Sequence, residues 1–100
     1  MVHVEPLQVE GHTFIGVVVE LPKTTLFCIK AEMGYIMCGA LDIRLLSEKL
    51  KERGIVAARA TGVRSLNDLL EFPLESVTPE AAKRGILPGM KGKEALLRMT

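Results

Sequence analysis

The apolar residues of this 100-residue chain change their spacing once, close to residue 41, and no other feature constrains the fold as tightly. Before that point the pattern is that of strands. Thr13-Phe14-Ile15-Gly16-Val17-Val18-Val19-Glu20-Leu21 is β-branched and apolar on both faces, which suits a strand buried on both sides. Pro22 cannot donate to a ladder and ends the run, leaving Lys23 in a connection. The next run, residues 24–31, places Phe27, Ile29 and Ala31 on one face and Leu26, Cys28 and Lys30 on the other. Glu32-Met33-Gly34 reads as a turn in which Gly34 supplies positive φ, and residues 35–40 return to complete a hairpin. Residues 2–9, broken by Pro6, are expected at a sheet edge.

Beyond residue 41 the period becomes helical. Asp42 is a good N-cap, and Ile43, Leu46 and Leu50 repeat at helical spacing through Arg53. Gly54 stands where a helix ends in the left-handed conformation. The stretch predicts the main helix. Residues 55–61 form an alanine-rich strand that lets a helix or second subunit come close. Ser65 with Asp68 makes a capping box for a short helix stopped by Pro73, and a short strand is expected within residues 74–77. Thr78-Pro79-Glu80 supplies a cap, a first-position proline and an N-terminal carboxylate for a helix closed by Gly85. Pro88-Gly89 turns the chain into a last helix over residues 93–99. The fold class is α+β: an N-terminal antiparallel β region, a main helix, a further strand and short C-terminal helices.

One hundred residues support one core and are too few for two, so residues 1–100 are a single domain. Residues 1–40 are its β-rich assembly region, and residues 41–100 mix helix and strand. Hydrophobic residues make up 48% of the chain before its nine glycines are counted, against about 45–50% with glycine included in an average soluble domain. A chain this small has little interior for that excess, so part of it is expected to face another subunit. The net charge of +1 leaves no electrostatic footprint for a nucleic acid. No apolar run approaches the ~18–20 residues of a membrane span. The opening Met1-Val2-His3-Val4-Glu5-Pro6 carries no leader pattern. With two cysteines and no export signal the expected setting is the cytoplasm, with both thiols free.

Cys38 is the candidate reactive group. It ends a strand in Met37-Cys38-Gly39-Ala40-Leu41-Asp42, and a thiol close to a helix N-terminus is biased towards the thiolate. The alternative is that it fills a small core site, as buried cysteines commonly do. His3 and His12 are the available bases, and neither carries a family signature. The histidines and cysteines also lack the close spacing of zinc ligands, so no metal site is expected. Residues 85–94 are glycine-rich, but Leu87 replaces the first glycine of a phosphate loop and Glu94 its hydroxyl residue. Turn and cap duty explains these glycines better than an anion site at Lys91 and Lys93. Lys23, Tyr35, Asp42 and Arg59 are the other polar groups in apolar context, and they are candidate ligand contacts.

Leu21-Pro22-Lys23-Thr24-Thr25, Gly34-Tyr35-Ile36-Met37-Cys38-Gly39-Ala40-Leu41-Asp42, Leu50-Lys51-Glu52-Arg53-Gly54-Ile55-Val56-Ala57 and Leu74-Glu75-Ser76-Val77-Thr78 together resemble the YunC-like family of small bacterial and archaeal proteins. The likeness runs from about Val9 to Leu97. It implies an α+β domain whose N-terminal β region mediates tetramer formation. The family supplies no accepted reaction, cofactor or catalytic residue. Three readings of function follow. One is a small-molecule or anion site at a subunit interface near Lys23, Tyr35, Cys38, Asp42 and Arg59. Another is a cysteine-dependent enzyme with Cys38 as nucleophile or redox group, and Lys23 or Arg59 holding an anionic substrate. The last is a structural or partner-binding role.

Overall fold

The computed structural model describes residues 1–40, 43, 45–49 and 51–100. Six strands lie in sequence order in one sheet: β1 (Val2–Val9), β2 (His12–Leu21), β3 (Thr24–Lys30), β4 (Gly34–Met37), β5 (Val56–Arg59) and β6 (Ser76–Val77). Three short helices follow β5 in the chain, α1 (Leu66–Glu71), α2 (Pro79–Lys83) and α3 (Gly92–Leu97). Neighbouring strands are antiparallel except β4 and β5, which run parallel. An α+β fold with a β-rich first part is what the sequence predicts.

The turns follow local chemistry. Glu10 and Gly11 both take positive φ (47° and 83°) between β1 and β2, the two-residue turn whose twist matches the flanking strands. Lys23 adopts φ 62° after Pro22 at the next turn, where no glycine advertises it. The Met1 and Glu20 backbones exchange hydrogen bonds in both directions. Antiparallel ladders alternate bonded and non-bonded pairs, so the Pro6–Ile15 pair is non-bonded and the Pro6 nitrogen points to the free edge. β1 therefore holds its proline without losing a ladder bond, and is not broken by it.

Two departures from expectation matter. The segment expected as the main helix is α-helical at Ile43, with a π-helical turn over Leu45–Lys49 and a 3-10 turn over Lys51–Arg53. Ile43 and Leu46 are buried as their spacing requires. Periodicity reports which side chains face inward, and it does not report the size of the hydrogen-bonded ring. The predicted N-cap Asp42 and the apolar Leu50 lie outside the described residues. Gly34, expected to supply positive φ, instead allows close approach: a Cβ there would collide with the Val56 carbonyl oxygen on β5.

The main core lies on one side of the sheet. Gly16, Ile29, Ile36 and Ala58 form a row across β2 to β5, all buried, beneath Leu66, Leu69, Leu96 and Met99. Ile29 and Ile36 are fully buried, each worth about 1.5–3 kcal/mol against exposure. Ser65 accepts the Asp68 amide at 3.0 Å and caps α1. Thr78 caps α2 and also ties it to the sheet. Its hydroxyl donates to the Ile55 carbonyl at 2.7 Å and accepts the Ala57 and Ala81 amides at 3.1 and 3.3 Å.

The other face of the sheet is open in part: it is exposed over β1 and β2, while Ala57 on β5, which shares that face, is fully buried. Val4, Val17, Cys28, Met37 and Arg59 stand in register across β1 to β5, one residue out of phase with the buried row. Val4 is 60% exposed, Ile15 37% and Leu21 46%. β2 was expected to be buried on both sides, and here only its Phe14–Gly16–Val18 side is covered. The three short helices after β5 pack on one face, and among the described residues the β1–β2 part of the second face stays exposed.

Candidate functional site

A groove of about 650 Å³ opens on the uncovered side, where β3 turns into β4 and the chain enters β5. Its position follows from the single parallel pair. Because β4 and β5 run the same way, the chain must return to the starting end of β4 before forming β5. That return lays Arg53, Gly54 and Ile55 beside the Ala31–Gly34 turn. Gly54 takes φ 61°, which completes the expected helix-end glycine and lets the backbone bend into the wall. Val17, Cys28, Met37 and Val56 supply an apolar floor, while Lys30, Glu32, Tyr35 and Arg53 bring the polar groups. The volume falls in the range of small-molecule sites.

Register sets the internal order of the groove. Cys28 pairs with Met37 and Lys30 with Tyr35 on adjoining strands, so all four side chains share the open face. Burial pushes the Cys28 thiol above its ordinary pKa, with the nearby Cys38 adding to the shift. Burial likewise raises the Tyr35 phenol, helped by Cys28. Both groups are consequently neutral at physiological pH, and the floor carries no negative charge.

Of the residues singled out in the sequence, Tyr35 alone among those described lines this groove. Lys23 sits in the β2–β3 turn, at the opposite end of the sheet from Tyr35. Arg59 follows Met37 in the open row and lies with its Nε 3.6 Å from Glu75 Oε1. Cys38 is buried on the covered side, where its sulfur accepts the Phe27 amide at 3.5 Å. Asp42 lies outside the described residues. Sequence reasoning did not pick out Lys30, Arg53, Cys28 and Met37. The period-two pattern already placed Cys28 and Lys30 on one face, but the return of the chain beside them is a tertiary event.

A second cavity, of about 260 Å³, is bounded by Leu46, Ile55, Thr78 and Lys83. The alternative anion site at Lys91 and Lys93 is occupied internally. Lys93 Nζ is 2.9 Å from Glu71 Oε2 and Lys91 Nζ 3.8 Å from Oε1, and the bond from Lys93 holds the Glu71 carboxyl below its usual pKa. Among the described residues no group of three or more His, Cys, Asp or Glu side chains is placed to hold a metal. No helix among them is long and apolar enough to cross a membrane.

An α+β domain with a half-covered sheet and an open groove beside its one parallel strand pair is the class of protein these observations define. Residues 37–99 match DUF1805, a domain of unknown function. The chain is 58% identical over 99 residues to the "Uncharacterized protein YunC" of Bacillus subtilis (strain 168), covering 99% of this chain and 98% of that protein. It belongs to the YunC-like, DUF1805-containing family, as its sequence motifs imply. Its fold is similar to the crystal structure of a protein of unknown function, TA1206, from Thermoplasma acidophilum. The TM-score is 0.89 at 27% identity, over 100% of this chain and 94% of the other.

Proposed function

We propose that this is a cytoplasmic, homo-oligomeric binding protein whose copies associate through the open face of the sheet and whose ligand occupies the Tyr35 groove at the boundary between them. One observation carries this reading: Val17, Cys28 and Met37 belong both to the uncovered apolar row and to the floor of the groove. A ligand there would touch the assembly surface itself. Apolar sheet faces of this kind are stable in water mainly when another layer covers them. A tetramer is the expected assembly, as the family resemblance implies.

Pro6 favours association by the face over association by the edge. Its nitrogen is turned to the free side of β1, so the edge lacks a donor midway between the outward amides of Val4 and Gln8. Tyr35 is the ligand contact retained from the sequence reading, and Arg59 extends the row of Cys28 and Met37 towards Glu75. Reaction at Cys38 draws no support, since its sulfur is buried and engaged with the Phe27 amide.

Sedimentation velocity at micromolar concentration tests the assembly. The unsubstituted chain should run above monomer mass, and Ile15→Lys should return it to monomer with its circular dichroism unchanged. A monomeric wild type, or an oligomer indifferent to the charge at position 15, would remove the face-association reading.

A further inference from the structure

We infer that the groove takes an organic anion with a flat apolar body, the anionic end held by Lys30 and Arg53 and the body lying on Cys28, Tyr35 and Met37. The inference rests on the groove of the preceding proposal and names the ligand class. Two cationic side chains, Lys30 and Arg53, line the groove against one carboxylate, Glu32. Among the described residues neither cation makes an ion pair or a side-chain hydrogen bond, whereas Lys83, Lys91 and Lys93 each lie against a carboxylate. The two approach from different elements. Lys30 ends β3, and Arg53 comes from the return segment before β5.

The rest of the lining limits the ligand. With Cys28 and Tyr35 held neutral, the floor does not repel a negative group at physiological pH. An excess of a single positive charge suits one carboxylate or sulfonate better than a polyphosphate, which calls for several donors. Sulfur and aromatic surfaces at Cys28, Met37 and Tyr35 suit a planar, polarisable body.

The probe pair is 1-anilinonaphthalene-8-sulfonate and N-phenyl-1-naphthylamine, the same ring system with and without the sulfonate, followed by fluorescence titration. The sulfonate should bind saturably, and the Lys30→Ala/Arg53→Ala double variant should weaken it about tenfold or more, the scale of charge-assisted hydrogen bonds. The neutral amine should bind both proteins alike. Glu32→Gln should tighten the sulfonate, which keeps the test decisive if the double variant is destabilised. Saturating sulfonate should also slow maleimide labelling of Cys28. Equal loss of both probes, sulfonate affinity indifferent to all three charges, or undiminished Cys28 labelling would overturn the inference. Sedimentation of the same samples separates the two proposals. An oligomer that ignores the probe's charge removes the ligand class alone, and a monomer that reads it removes the assembly alone.

Discussion

Phe27 and Cys38 are bonded to each other twice: the Cys38 amide donates to the Phe27 carbonyl at 3.0 Å, and the Phe27 amide donates to the Cys38 sulfur at 3.5 Å. A side-chain sulfur thus stands in for a backbone carbonyl where β4 has ended, and the amide of a buried strand residue is satisfied. Cys28, on the same hairpin, faces the open side, so the two thiols of one protein meet opposite environments.

That contrast is measurable. Maleimide should modify Cys28 in the folded protein and Cys38 only on unfolding, with peptide mass spectrometry separating them. Cys38→Ala leaves the Phe27 amide without its acceptor and should cost about 1–3 kcal/mol by urea denaturation. Cys38→Ser keeps an acceptor and should cost less. Cys38 labelling at the Cys28 rate would contradict its burial.

Alkaline pH should weaken the fold through Cys28. Its folded-state pKa lies above the unfolded value, so its contribution is fully present below the unfolded pKa. Above that pH the unfolded chain loses the proton first, and stability falls until the raised folded pKa is passed. Tyr35 adds a second loss of the same sign, beginning at the higher pH where unfolded tyrosine ionises. Cys28→Ala should flatten the first part of this decline in urea midpoints measured across the thiol range. An identical slope would show that the thiol is not responsible.

Thr78→Val should destabilise strongly for an isosteric change. It removes the acceptor of two amides and a donor to Ile55, at a residue only 1% exposed. Each amide left without an acceptor costs about 1–3 kcal/mol. A midpoint shift no larger than that of a surface substitution would mean that water replaces the hydroxyl.

Gly34→Ala should separate the parallel pair. Its methyl group would meet the Val56 carbonyl, a backbone atom that cannot rotate away, and overpacking of this kind costs about 1–3 kcal/mol. The same change should disturb the groove, since Gly34 and Val56 both line it. Unaltered stability together with unaltered probe binding would refute that geometry.

Pro6→Val should restore an outward amide in the middle of the β1 edge, between the two already there. Larger species should then appear by light scattering, while the melting temperature of the soluble fraction stays close to wild type. Absence of any larger species would leave the proline without a protective role.

The sequence by itself determined most of the strands, the Ser65 and Thr78 caps and many of the inward-facing residues, because these are local matters of period and donor count. Ser65, Thr78, Gly54 and Gly85 each take the conformation or bond their type favours. It also marked an apolar excess and named Tyr35. Only the tertiary structure decided that β5 joins β4 in parallel, which makes the chain return past the β3–β4 turn and builds the groove wall from Arg53 and Ile55. It also decided which side of β2 stays uncovered, since a strand apolar on both faces carries no preference until the helices choose one. The Cys38–Phe27 bond belongs to the same class: alternation gives a side chain its face, while its partners come from residues distant in sequence and close in space.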